Sequence, residues 1–149
     1  MDETEYRSTY TYVNQQRCKF EKSILSRRSM CRHAHRFCLA DREGVACQHQ
    51  DSLTLCERVL AQLRQKAVFA LKLTRIDGPL PHAKEVKVQT GSLIGLAQLV
   101  NSSHQQDDSI EDIITLIETA IDKYGHIDQL PYDEITRGIV QFRSRRGRK

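Results

Sequence analysis

Apolar residues recur along this chain in stripes of helical spacing, separated by short polar breaks. The cleanest stripe is Ile110, Ile113, Ile114, Ile117, Ile121 and Tyr124. Its three- and four-residue intervals place these side chains on one face of a helix. Asp108 and Glu111 have the spacing of a capping box before it, and Gly125 suits a C-cap after it. A second stripe, Val59, Leu60, Leu63, Ala67, Ala70 and Leu71, predicts a helix to about Leu73, with Asp51 or Ser52 offering its N-cap. Thr54 and Glu57 near its start again have capping-box spacing. The stretch from Ser23 to about Asp41 has good helix formers, no Gly or Pro, and Gly44 just beyond as a stop, so it also reads as a helix. A short helix from about Ser92 to Val100 is expected. A last one has Pro131 at its first position, with Asp133 and Glu134 in its first turn and Ile135, Ile139 and Phe142 on its buried face.

Between these stripes the pattern changes. Glu85-Val86-Lys87-Val88-Gln89 alternates polar and apolar, which predicts a short strand or extended piece at 85–89. Residues 1–16 are polar and patternless and are expected to form a flexible N-terminal arm. Gly78, Pro79 and Pro81 break the chain, separating residues 17–75 from a helical half of the same domain at 76–142. Residues 143–149 form a basic tail. The fold class that results is mainly α: a small bundle of four to five helices with one short extended segment.

Length and composition agree with one soluble domain. The chain has 149 residues, 39% of them apolar, enough for a single core. No apolar run approaches the roughly 20 residues needed to span a bilayer, so no membrane partner is expected. The N-terminal stretch lacks the basic-then-apolar layout of a secretory signal, which points to a reducing cytoplasm. The net charge of +4 conceals a division. Asp107 to Glu134 holds nine acidic residues against one lysine, whereas from Arg137 onward there are six basic residues and no acidic one. The acidic region reads as a solvated helix face, because its aspartates lack the loop spacing of a calcium site. The tail residues Arg143, Arg145, Arg146, Arg148 and Lys149 are candidates for contact with nucleic acid or an acidic partner. The competing account is a solubilising end that complements a helix dipole.

The cysteines change the picture most. Cys18, Cys31, Cys38, Cys47 and Cys56 share a short window with His33, His35 and His49, and no cysteine follows. Five is an odd number, so they cannot all pair in intrachain disulfides. Such a density of soft ligands points to a metal centre made by four of the five. The competing account is that cysteine acts as a small apolar core residue. The spacing C-x12-C-x6-C-x8-C-x8-C contains no C-x2-C pair, the usual mark of zinc knuckles and bacterial ferredoxins.

If the first helix is straight, Cys31, His35 and Cys38 share one face, and the two thiols lie about 10.5 Å apart along the axis. Sulfurs on one zinc ion stand roughly 3.8 Å apart, whereas a cubane iron–sulfur cluster separates them by about 6 Å. The iron–sulfur cluster is therefore the expected cofactor and zinc the alternative, with His35 as the alternative ligand. Cys56 falls on the Val59, Leu60 and Leu63 stripe, and so is a core candidate as well as a thiolate in a first helical turn. Arg28, Arg32 and Arg36 would form a basic stripe beside the cysteines, read as charge compensation, phosphate contact or a solvated face.

Hydrolytic signatures are missing: no Gly-x-Ser-x-Gly, no His-Glu-x-x-His and no phosphate-cradling glycine loop. A cysteine nucleophile paired with His33, His35 or His49 is a minor reading, and His82 reads as a solvated loop residue. The sequence thus suggests a small cytoplasmic metal-binding protein, more a carrier or sensor than an enzyme, with another protein as partner. Electron transfer, redox sensing and metalloenzyme assembly are the roles expected of it. The alternative is a protein-interaction or nucleic-acid-associated helical module with structural cysteines, or a zinc-binding variant of it.

Overall fold

Ten consecutive residues of one helix, Val88–Ala97, are buried all round, and the other elements pack about that helix. The computed structural model describes residues 2–68 and 80–142. Among them the order is α1 (Glu3–Val13), α2 (Glu21–Leu25), β1 (Ala34–Leu39), β2 (Arg42–Cys47), α3 (Gln50–Lys66), α4 (His82–Val100), α5 (Ile113–Tyr124), a 3-10 turn (Ile127–Gln129) and α6 (Tyr132–Gln141). The class is mostly α, with six α-helices and one two-stranded antiparallel sheet among the described residues, against the four to five helices expected.

Helix α4 is central because both its faces have partners. Gly91 and Gly95 on α4 meet Gly138 on α6 backbone to backbone. A Cβ at Gly95 would stand 2.8 Å from the Ile135 carbonyl oxygen, and one at Gly138 would fall on the Gly91 carbonyl. The expected strand at 85–89 lies inside this helix. Its buried residues, Glu85, Val88 and Gln89, have helical spacing, and two of them are polar, which disguised the stripe. Helix α5 and α6 follow the expected stripes, with Ile113, Ile114, Ile117, Ile135 and Ile139 buried and Gly125 closing α5 at φ +95°. The Asp108–Glu111 spacing falls in the preceding loop, and Asp112 is the N-cap residue.

Helix α3 starts at Gln50, and its N-cap is His49, two or three residues before the expected Asp51 or Ser52, because the His49 ring accepts from the Ser52 N–H. Thr54 and Glu57 therefore lie within the helix, which ends at Lys66; the expected continuation to Leu73 falls partly outside the described residues.

The largest departure from the sequence pattern lies at 23–41. No long helix forms there. Helix α2 ends at Leu25, Arg27 adopts φ +64°, and residues 34–47 make a hairpin in which Ala34 pairs with Cys47 and Leu39 with Arg42. Local preference for helix is overridden by packing. Val45 is fully buried, and Tyr10 and Phe37 rings pack at 5.8 Å. The turn at Ala40-Asp41, with Ala40 at φ +55°, lacks the Asn-Gly signal of a tight hairpin.

Residues 3–13, expected within a loose arm, form α1. Its only buried side chain is Tyr10, so no stripe announces it. Polar contacts hold it instead. The Tyr10 hydroxyl donates to Glu21, which also accepts from the Val45 N–H at 2.8 Å and Arg17 Nε at 2.7 Å. Asn14 Nδ2 donates to the Tyr10 oxygen at 2.9 Å and the Val45 carbonyl at 3.1 Å.

Candidate metal centre

Three backbone pairings carry cysteines towards one place. The segment before α2 runs along the outer edge of β2, where the Cys18 N–H donates to the Val45 carbonyl at 3.0 Å and the Cys47 N–H to the Gln16 carbonyl at 2.7 Å. These bonds set Cys18 beside the end of β2. The segment after α2 pairs with the entry to α5: Met30 N–H donates to the Ile110 carbonyl, Ile110 N–H to the Arg28 carbonyl and Ile113 N–H to the Met30 carbonyl, at 2.9 to 3.0 Å. This places Cys31 at the N-terminus of α5. Beyond the hairpin, Gln48 N–H donates to the His33 carbonyl at 2.9 Å, closing its open end. Helix α3 then presents Cys56 from its second turn, rather than the first turn expected.

Cys18, Cys31, Cys47 and Cys56 consequently line one pocket, with Phe20, Leu53, Ile113, Ser52 and His33 among its walls. Cys38 is outside it, exposed on β1. The shared helical face of Cys31, His35 and Cys38 does not exist. His35 and Cys38 lie three residues apart on a strand, an odd interval that sends side chains to opposite faces. Neither lines the pocket. The Arg28–Arg32–Arg36 stripe dissolves likewise: Arg28 is buried, Arg32 pairs with Asp112, and Arg36 pairs with Glu43. The five tail cations from Arg143 to Lys149 lie outside the described residues.

The thiols sit in different surroundings. Cys18, Cys31 and Cys56 pack against the hydrophobic core, and Cys47 is half-buried at the end of β2. Burial pushes the Cys18 thiol up to about 12, opposed by a hydrogen bond from the Phe20 N–H and reinforced by the neighbouring Cys31 and Cys47. Cys56 is raised further by burial and by Cys18, Cys31 and Cys47. Cys31 is also raised by burial, although the N–H groups of His33 and Ile114 donate towards its sulfur. Ile114 is the second residue of α5, so a helix N-terminus faces Cys31. Four thiolates cannot be charged together here without a cation among them. Among the described residues, no group of three or more His, Cys, Asp or Glu side chains is arranged to hold a metal ion.

The sequence pattern missed two parts of this site. Asp112 and Ile114 reach Cys31 from the cysteine-free half, and nothing local signals that. His33 and His49 each follow a cysteine by two residues, in Cys31-Arg32-His33 and Cys47-Gln48-His49, a repeated spacing that is visible in the chain. Their rings stack at 4.5 Å between centroids with 14° between planes. Comparison of the chain with family models, with curated proteins and with solved structures gives no match in any of the three.

Proposed function

We propose that this protein holds an iron–sulfur cluster on Cys18, Cys31, Cys47 and Cys56 and acts in electron transfer, redox sensing or the assembly of a larger metalloenzyme. One observation carries the reading: four of five cysteines, separated in sequence and borne by different elements, converge on one pocket while the fifth is left outside. Cysteine used only as an apolar filler has no reason to converge in this way. The all-thiol donor set suits iron–sulfur ligation, and N–H groups directed at Cys18 and Cys31 are the kind of donors that stabilise and tune cluster sulfurs.

Zinc is the second reading, favoured by the volume between the thiols. The cavity is about 20 Å³, close to the space of one water-sized group. Elemental analysis of anaerobically purified protein separates the two. Iron with an equal amount of acid-labile sulfide, and absorbance near the violet end of the visible range, is the expected result. One zinc per chain would replace the cluster by zinc, and folded protein with neither would remove both readings.

A further inference from the structure

We propose that the stacked rings of His33 and His49 form a lid over the Cys47 edge of the cysteine pocket, and that the bound centre is loaded and lost through this edge; the inference rests on the metal-centre reading above. Cys18, Cys31 and Cys56 pack against the hydrophobic core, whereas the Cys47 Sγ donates to the His49 carbonyl at 3.3 Å in exposed surroundings. His33 lines the pocket directly. Both histidines are fixed at the open end of the hairpin: the His33 carbonyl accepts from Gln48, and the His49 Nδ1 accepts from the Ser52 N–H at 3.2 Å. Cys18 and Cys56 stand among Phe20, Leu53 and Ile113, and both pack against the hydrophobic core. A centre larger than the cavity of about 20 Å³ has to displace part of the wall to enter, and two side chains at the surface move more easily than the core.

The same geometry keeps the two rings from ligating one ion together. Imidazole lone pairs lie in the ring plane, and with 14° between the planes they run nearly parallel, so they do not converge on one ion. His49 also has one nitrogen engaged as the cap of α3.

Two measurements on the full-length chain test the lid. In metal-loaded protein, His33→Ala should leave the metal content unchanged and raise the rate of loss to an iron or zinc chelator about two- to tenfold, the factor that corresponds to a stacked ring pair. His33→Phe, which keeps a ring in the stack, should lose metal at nearly the unmodified rate. His49→Asn, which retains a good helix cap, should behave as His33→Ala. His35→Ala, away from the pocket, should change nothing. In metal-free protein that remains helical, His33→Ala should raise alkylation of Cys47 relative to Cys38, an exposed thiol in the same chain. An unchanged chelator rate in His33→Ala overturns the lid, and so does metal loss in His33→Phe, which would make His33 a ligand. Protein that purifies without any metal removes the metal reading instead, and the alkylation ratio then decides the lid by itself.

Discussion

Arg64 on α3 grips Glu85 on α4 through two hydrogen bonds, 3.2 Å from Nε and 2.6 Å from Nη2, with the Glu85 side chain 1% exposed. Gln89 and the Leu80 N–H donate to the same carboxylate at 2.7 and 3.1 Å. Burial by itself would raise the Glu85 pKa, but Arg64, Gln89 and Leu80 together lower it below the ordinary value. The folded-state pKa is depressed, so this carboxylate stabilises the fold above about pH 4.3, its unfolded value, and the contribution fades as pH falls through the folded value. Arg64→Ala leaves a buried charge unpaired and should cost about 3–5 kcal/mol at neutral pH. Glu85→Gln should flatten the acid side of the stability profile. Urea melts between neutral pH and pH 3 check both.

The meeting of Gly91, Gly95 and Gly138 sets how closely α4 and α6 approach. A methyl group at Gly138 meets backbone, which cannot rotate away, so Gly138→Ala should destabilise by about 1–3 kcal/mol or more. Gly125 has open space around it but φ +95°, so Gly125→Ala should lose only about 1–2 kcal/mol through backbone strain. Chemical denaturation of the two variants gives the comparison. A Gly138→Ala change milder than Gly125→Ala would contradict the close approach.

Tyr10 is the one side chain that α1 buries. Tyr10→Phe keeps the ring and removes the hydroxyl between Glu21 and Asn14, leaving buried polar groups short of a partner at about 1–3 kcal/mol. Limited proteolysis should then cut within residues 3–13 sooner than in the unmodified chain, while the α4–α6 core keeps its protection.

The contrast between these elements explains what could be read from the sequence. Helices α5 and α6 were legible because each buries one continuous apolar face, with Gly125 and Pro131 as clear punctuation. Helix α1 was not, since its anchoring is polar and runs from Tyr10 to Glu21 and Asn14. The hairpin was hidden because His35, Arg36 and Ala46 carry no strand signal, and Val45 earns its place only by burial against distant residues. For the site, the clustering of cysteines was visible, but not which four converge. That selection depends on the pairing of Gln16 with Cys47 and of Met30 with Ile110, contacts that spacing along the chain does not encode. A straight helix at 23–41 coupled Cys31 to Cys38, and the hairpin uncouples them.

The central claim is that Cys18, Cys31, Cys47 and Cys56 act as one centre and Cys38 does not belong to it. Anaerobic purification of the five single Cys→Ser variants, with iron, zinc and sulfide analysis beside helical content by circular dichroism, tests it most directly. Cys38→Ser should keep the full metal complement, and each of the other four should lose most or all of it while remaining folded. If the cysteines serve only packing, the same four changes would cost about 1–3 kcal/mol each from burying a hydroxyl without a partner, with no metal in any protein. Metal lost as fully from Cys38→Ser as from Cys31→Ser, or folded unmodified protein without metal, would contradict the account.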